Sequence, residues 1–159
     1  MAFQKIDMCN QIIAQKKLTI SFAESATAGR LCAEFAMAPE SGSTLKGGIV
    51  CYDAEVKKKL LLVPVQAIEE FTAESAEVTK ILADNLKLLI DSDIYVAITG
   101  LTGPGGSETA QKPVGTIFIH AIFPNKYIQH REVFEGTPEE IVSKTIEKTA
   151  DLIIDNLIN

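Results

Sequence analysis

Two residues of this 159-residue chain, Ser25 and Lys57, are of the types that a hydrolase uses as nucleophile and base. Ser25 follows an apolar run, within the segment Phe22-Ala23-Glu24-Ser25-Ala26-Thr27-Ala28-Gly29. A serine hydroxyl attacks a carbonyl carbon when a nearby base removes its proton and backbone amides hold the resulting oxyanion. The amides of residues 26–29 are candidate donors because they open a predicted helix. A lysine whose pKa is lowered by burial can be the base, and Lys57 lies about one helical turn beyond a predicted strand end.

Each residue also has an ordinary structural interpretation. A serine at a strand-to-helix turn commonly caps the helix, and the run Lys57-Lys58-Lys59 is typical of a solvated surface. A histidine base is a further alternative, since His120 and His130 both lie in predicted strands. The residues by themselves leave these alternatives open.

A second segment of small residues, Gly100-Leu101-Thr102-Gly103-Pro104-Gly105-Gly106-Ser107, also follows an apolar run. Such a loop either lets a ligand approach the backbone or forms a plain turn. It lacks the spacing of the well-known nucleotide-binding loops. Ligand sites in open α/β sheets lie at the carboxyl ends of strands, so both segments are predicted to border the functional site.

Hydrophobic periodicity predicts the elements that position these segments. Apolar residues recur at helical spacing from Phe3 to Ile13, with the helix ending near Lys16 and Lys17. Ser25 or Thr27 is predicted to cap the second helix, and Asp53 the helix that carries Lys57. Predicted strands cover residues 18–22, 47–52, 94–99, 114–123 and 127–134. A long helix is predicted over residues 72–90. The last helix is predicted to begin with a capping box at Thr137, Pro138 and Glu140.

These elements predict one α/β domain over residues 1–159, with three α/β/α layers and a mixed, mostly parallel five-stranded sheet. The alternating first half supplies parallel strands, and a hairpin around Pro124-Asn125-Lys126 supplies an antiparallel pair.

Composition narrows the class of protein. The chain is 47% hydrophobic and 23% charged, which is typical of a globular domain. Its net charge of −6 opposes generic nucleic-acid binding and favours a small-molecule ligand. Cys9, Cys32 and Cys51 are widely spaced and predict neither a disulfide framework nor a zinc site. Without a signal core or an apolar span, a cytoplasmic protein with no membrane partner is expected.

The motifs taken together resemble the CinA C-terminal domain family, which comprises competence/damage-inducible CinA-like proteins and nicotinamide mononucleotide deamidases. The resemblance extends from about Leu18 to Gly136 and rests on three motifs in order: Ala23-Glu24-Ser25-x-Thr27-x-Gly29, Gly47-Gly48-Ile49-Val50-x-Tyr52-x-x-x-x-Lys57, and Gly100-x-x-Gly103-Pro104 with Lys112-Pro113-Val114-Gly115-Thr116. It implies the α/β/α fold with a mixed five-stranded sheet. It also implies hydrolysis of the nicotinamide mononucleotide carboxamide in pyridine nucleotide salvage, with no metal and no cofactor, by a protein that is often a homo-oligomer.

Carried over to this chain, the resemblance makes Ser25 the nucleophile, Lys57 its base, and Tyr52 a hydroxyl that helps proton transfer. Residues expected to border the nucleotide are Glu24, Ala26, Thr27, Ala28, Gly29, Gly100, Thr102, Gly103, Gly105 and Gly106.

This chain departs from the family pattern at several positions. The family usually has Glu-Ser-Cys-Thr-Gly-Gly, whereas this chain has Ala26 in place of the cysteine and Ala28 in place of the first glycine. Ala28 adds a methyl group where the backbone can need an unusual φ. Tyr-Ser-Asn becomes Tyr52-Asp53-Ala54, and the Gly-Asp-Arg before the last helix becomes Gly136-Thr137-Pro138. Two alternatives to an active amidohydrolase follow: a CinA-like protein that binds a nucleotide or phosphate ester without cleaving it, and a subunit of a larger assembly.

Overall fold

The computed structural model describes residues 2–159, with side chains from Gln4 onward. The helices are α1 Ala2–Gln15, α2 Arg30–Met37, α3 Ser41–Thr44, α4 Ala54–Leu61, α5 Val65–Phe71, α6 Ala76–Leu86 and α7 Pro138–Ile158. The strands are β1 Ile20–Glu24, β2 Leu45–Val50, β3 Ile94–Gly100, β4 Thr116–Ile122 and β5 Tyr127–Val133. Phe3, predicted on the buried face of the first helix, has a side chain outside the described part.

The five strands form one sheet in the order β2-β1-β3-β4-β5. β1 runs parallel to both β2 and β3, whereas β4 is antiparallel to β3 and β5 is antiparallel to β4. Four strands therefore point the same way and β4 alone is reversed. This confirms the predicted mixed, mostly parallel five-stranded sheet.

Helices cover both faces of the sheet, so the three-layer prediction is confirmed. Alternate residues of β3 show how the faces separate, because Ile94, Val96 and Ile98 pack into one core while Tyr95 and Ala97 pack into the other. The first core also takes residues of α1, α2 and α7, and the second those of α4 and α6. The ends of β1 and β3 that carry the two glycine-containing segments are thereby fixed in a rigid, buried sheet.

Several predicted boundaries were wrong. β1 ends at Glu24 and β2 begins at Leu45, each two residues away from the predicted limits. The long helix predicted over residues 72–90 is α6 alone, because Thr72 takes a left-handed φ of 70° and Ser75 caps α6 by accepting from the Val78 amide. The preceding residues form a separate helix, α5, which lacks buried residues and so gave no apolar stripe.

The capping box of α7 is confirmed. The Thr137 amide donates to the Glu140 carboxylate at 2.7 Å, and the Glu140 amide donates to the Thr137 hydroxyl at 3.3 Å. Across residues 2–159, no helix is both long and apolar enough to cross a membrane.

Candidate active site

Ser25 and Lys57, which lie 32 positions apart in the chain, come together at the carboxyl end of β1. The Ser25 amide donates to the Ile98 carbonyl at 3.0 Å, so the β1–β3 pairing holds the backbone of Ser25 in place. Lys57 is in α4, whose N-cap Asp53 accepts from the Glu55 amide at 2.7 Å. Lys57 Nζ lies 2.9 Å from Ser25 Oγ. The predicted nucleophile and base are thus within hydrogen-bonding distance.

The other two partners of Lys57 Nζ are backbone carbonyls, of Cys51 at 2.8 Å and of Tyr52 at 3.0 Å. Carbonyls can only accept, so a neutral amine must use both of its hydrogens on them. The nitrogen lone pair is then left for the Ser25 hydroxyl. A neutral Lys57 held in this way can accept the Ser25 proton, whereas the ammonium form donates its three hydrogens to Ser25 Oγ and to the two carbonyls.

The environment of Lys57 lowers its pKa. The residue is completely buried, and burial lowers the pKa of its ammonium, whereas Cys51, Glu74 and Asp53 act in the opposite direction. Burial also raises the pKa of the Cys51 thiol to about 11, so Cys51 carries no charge at neutral pH. Lys57 is therefore buried and is not part of a solvated basic face.

Ser25 does not cap α2, and neither does Thr27, so the predicted cap was wrong. The helix begins at Arg30, and the buried carboxylate of Glu24 binds its first turn. The two Glu24 oxygens accept from Thr27 Oγ1 at 2.6 Å and from the amides of Gly29, Leu31 and Cys32 at 3.0, 3.0 and 2.7 Å. A glutamate at a strand end acts here as the anion that a helix N-terminus favours, and the Ser25 hydroxyl is left free for Lys57.

This cap changes which amides can serve Ser25. The Ala28 amide donates to the Ser25 carbonyl at 3.1 Å, and the Gly29 amide donates to Glu24. Within the described residues, the amides of Ala26 and Thr27 have no such partner. Of the predicted donors in residues 26–29, these two are the ones available for an oxyanion.

Ser25 opens into a cleft of about 310 Å³ that is lined mainly by the two predicted segments. Tyr52 lines it, but its ring is exposed, and the residue contacts Lys57 through its carbonyl. The complete lining is Ser25, Ala26, Tyr52, Glu74, Gly100, Leu101, Thr102, Gly103, Pro104, Gly105 and Gly106. Glu24, Thr27, Ala28 and Gly29 are outside this lining. Glu74, from the α5–α6 connection, was missed because an isolated acidic residue in a loop carries no sequence signal.

Two amides of the second segment already hold a carboxylate. The Gly105 and Gly106 amides donate to the two oxygens of Glu108 at 2.7 and 2.8 Å. These bonds lower the pKa of Glu108. An anionic ligand group that used these amides would have to displace Glu108.

The histidine alternative has no support in the geometry. His120 belongs to β4 and stacks on Tyr127, with ring centroids 5.4 Å apart, and His130 binds Glu132 in β5. Ser25 has Lys57 as its side-chain partner instead.

The sequence model of the CinA C-terminal domain family matches residues 4–157, nearly the whole chain. The chain belongs to the CinA C-terminal domain family.

Relatives with known names and structures are similar over most of this CinA domain. A CinA-like protein of Endomicrobium trichonymphae is 34% identical over 95% of this chain, and one of Leptospira biflexa is 40% identical over 89%. The chain spans about a third of the length of these relatives, 35% and 34% respectively. A CinA superfamily protein from Klebsiella pneumoniae has the same fold, with a TM-score of 0.94 at 22% identity over 99% of this chain and 98% of that one.

The backbone of Ala28 in this CinA domain has the unusual φ that the comparison with the family pattern led us to expect. Its φ is +50°, in the left-handed region that favours glycine, and the following Gly29 has a φ of +90°. Ala28 is exposed and lies outside the cleft lining, so its methyl group does not narrow the cleft.

Proposed function

We propose that this CinA domain is an amidohydrolase that converts nicotinamide mononucleotide and water to nicotinate mononucleotide and ammonia, by a Ser-Lys mechanism. The observation that carries the proposal is the position of Lys57 Nζ, 2.9 Å from Ser25 Oγ, with its remaining hydrogen bonds made to two carbonyls. The substrate comes from the family resemblance, which also motivates a role in pyridine nucleotide salvage.

In the acylation step, Ser25 Oγ attacks the carboxamide carbon while Lys57 takes the hydroxyl proton. The amides of Ala26 and Thr27 stabilise the tetrahedral oxyanion. When the C–N bond breaks, Lys57 returns the proton to the leaving nitrogen and ammonia departs, leaving an ester on Ser25. In the second step Lys57 removes a proton from water, the hydroxide attacks the ester, and Ser25 regains its hydrogen as the carboxylic acid leaves.

The decisive experiment on the reaction is to incubate the purified protein with nicotinamide mononucleotide and to measure both products. Equal amounts of ammonia and nicotinate mononucleotide are expected, and Ser25→Ala is expected to form neither. Ser43→Ala, a change to an exposed serine bonded to the Glu40 carbonyl, is the matched control and keeps full activity. Products formed at an unchanged rate by Ser25→Ala would refute the mechanism.

The second candidate is a protein that binds a nucleotide or phosphate ester without cleaving it. The observation that favours it is the left-handed backbone of Ala28, a departure from the family pattern in the segment that carries Ser25. Calorimetry with nicotinamide mononucleotide separates the candidates, because saturable binding without ammonia release is expected only of the second.

The remaining expectations concern the protein in the cell. A cytoplasmic homo-oligomer without a metal is proposed on the family resemblance, and sedimentation of the purified chain tests its oligomeric state. A place in a larger assembly is a further proposal, consistent with relatives about three times as long as this chain.

A further inference from the structure

The only charged side chain that lines the cleft, among the described residues, is the carboxylate of Glu74. Lys57 is completely buried behind Ser25 and does not belong to the lining. A ligand in this cleft therefore meets one negative charge and no exposed positive one.

Glu74 is held in place by a hydrogen-bond network that includes Ser107, Lys112 and Thr72. Its Oε2 accepts from the Ser107 hydroxyl at 2.5 Å, and Lys112 Nζ donates to the same hydroxyl oxygen at 2.8 Å. Lys112 Nζ also donates to the Glu74 carbonyl at 2.9 Å and to Thr72 Oγ1 at 2.5 Å. These bonds join the α5–α6 connection to the second glycine segment. The Glu74 carboxylate is thus positioned by its neighbours and not free to swing into solvent.

The other carboxylate oxygen of Glu74, Oε1, receives no hydrogen bond from the described residues. It is available to a ligand. The charge also acts across the cleft, since Glu74 is one of the groups that oppose the lowering of the Lys57 pKa. A ligand whose carboxamide meets Ser25 shares the cleft with this carboxylate, because Ser25 and Glu74 both line it.

We propose that Glu74 is a specificity-determining residue that selects carboxamides carried on a cationic, N-substituted pyridinium ring over neutral ring carboxamides. This inference rests on the proposed function for the position of the carboxamide. A carboxylate on the wall of a partly enclosed cleft stabilises a nearby ring cation by charge–charge attraction, and this attraction is absent for a neutral ring of the same shape. It thereby supplies binding free energy that depends on charge and not on size.

The test compares two ligands of nearly identical shape in the Ser25→Ala background, where no turnover occurs. Nicotinamide mononucleotide has a cationic ring, and its 1,4-dihydro form has a neutral ring with the same ribose and phosphate. Glu74→Gln keeps an oxygen for Ser107 and removes the charge. We expect it to weaken binding of the cationic form about three- to fivefold, the upper part of the range for ion pairs near the surface, and to change binding of the neutral form less than twofold.

Glu77→Gln is the matched control, because Glu77 is exposed on the first turn of α6 and lies outside the cleft lining. It is expected to leave both affinities unchanged. Equal weakening of both ligands by Glu74→Gln, or no weakening of either, would overturn the proposal.

A second measurement needs no change at Glu74. Raising NaCl from 0.05 to 0.5 M should reduce the preference for the cationic form, because salt screens the attraction while the phosphate is common to both ligands. A preference that is absent, or that does not respond to salt, contradicts the role of Glu74. Ammonia release by the unaltered protein is measured separately. If the protein releases ammonia but does not prefer the cationic ligand, only the role of Glu74 is rejected. If it prefers the cationic ligand but releases no ammonia, only the proposed reaction is rejected.

Discussion

At Ser25, reactivity depends on whether Lys57 is neutral, and the surroundings of Lys57 act on its pKa in both directions. Complete burial penalises the ammonium, while the carboxylates of Glu74 and Asp53 favour it. Because burial has the largest effect, the pKa of Lys57 lies below the ordinary lysine value of 10.5. A deprotonated base is then accessible at a lower pH than for an exposed lysine.

The first prediction concerns the pH dependence of kcat/KM for ammonia release. Only neutral Lys57 can take the Ser25 proton, so kcat/KM should rise with pH through the pKa of Lys57 and then level off. Glu74→Gln removes a negative charge that favours the ammonium, so this rise should move to lower pH. Glu77→Gln should leave it in place. A rate that falls as pH increases through this range would contradict a lysine base.

Ala28 leads to a prediction about backbone strain. Ala28→Gly relieves the side-chain clash at a φ of +50° but adds freedom to the unfolded chain, so the free energy of unfolding should change by less than about 1 kcal/mol. Ala28→Val should lower it by about 1 to 2 kcal/mol, because β-branched residues tolerate this region poorly. Urea unfolding measures both. A larger loss for glycine than for valine would show that the strain argument is wrong.

Among the elements, the junction of β1 with α2 determines the site. Glu24 ends β1, and its carboxylate accepts four hydrogen bonds from the turn and the first turn of α2. The cap leaves the Ala26 and Thr27 amides unbonded beside Ser25. One buried carboxylate thus shapes the loop that carries Ser25.

Replacing that carboxylate should affect both folding and activity. Glu24→Gln puts an amide NH₂ against backbone N–H groups, and we expect the free energy of unfolding to fall by about 3 kcal/mol. The rate of ammonia release is expected to fall as well. Thr137→Ala is the comparison, since it removes the α7 cap at a cost of about 1 kcal/mol and lies far along the chain from Ser25. If Glu24→Gln were no more harmful than Thr137→Ala, Glu24 would not organise the site.

For the whole molecule, ligand binding should appear as stabilisation. In Ser25→Ala, nicotinamide mononucleotide at a hundred times its Kd should stabilise the folded state by about 2.7 kcal/mol, which raises the Tm by roughly 5 to 10 °C for a domain of this size. The Lys59→Arg change, at an exposed site, should leave the shift unaltered. Absence of any shift at millimolar ligand would contradict both the hydrolase and the binding proposal.

Much of this architecture follows from local sequence patterns. Apolar patterns located the five strands, and the capping-box residues located the start of α7. Residue chemistry paired Ser25 with Lys57, and the family motifs supported that pair. The Glu24 cap was not predictable, because a glutamate after a strand has no fixed partner until the next helix is positioned. Glu74 enters the cleft through tertiary contacts with Ser107 and Lys112, which lie more than 30 positions further along the chain. Local patterns also missed α5, which has no buried residues, and began the next helix at Thr72, because the true start of α6 depends on the positive φ of Thr72 and on the Ser75 cap.

The central claim is that Ser25 and Lys57 act as one catalytic pair, and ammonia release by Ser25→Ala and Lys57→Arg measured side by side tests it most directly. Arginine keeps the positive charge but cannot give up its proton, and Lys59→Arg is the matched control on the exposed face of the same helix. We predict that both changes reduce kcat/KM at least a hundredfold, the lower end of the contribution of a general base, while circular dichroism shows an unchanged fold and Lys59→Arg stays fully active. Activity within tenfold of the unaltered protein in either Ser25→Ala or Lys57→Arg would contradict the account.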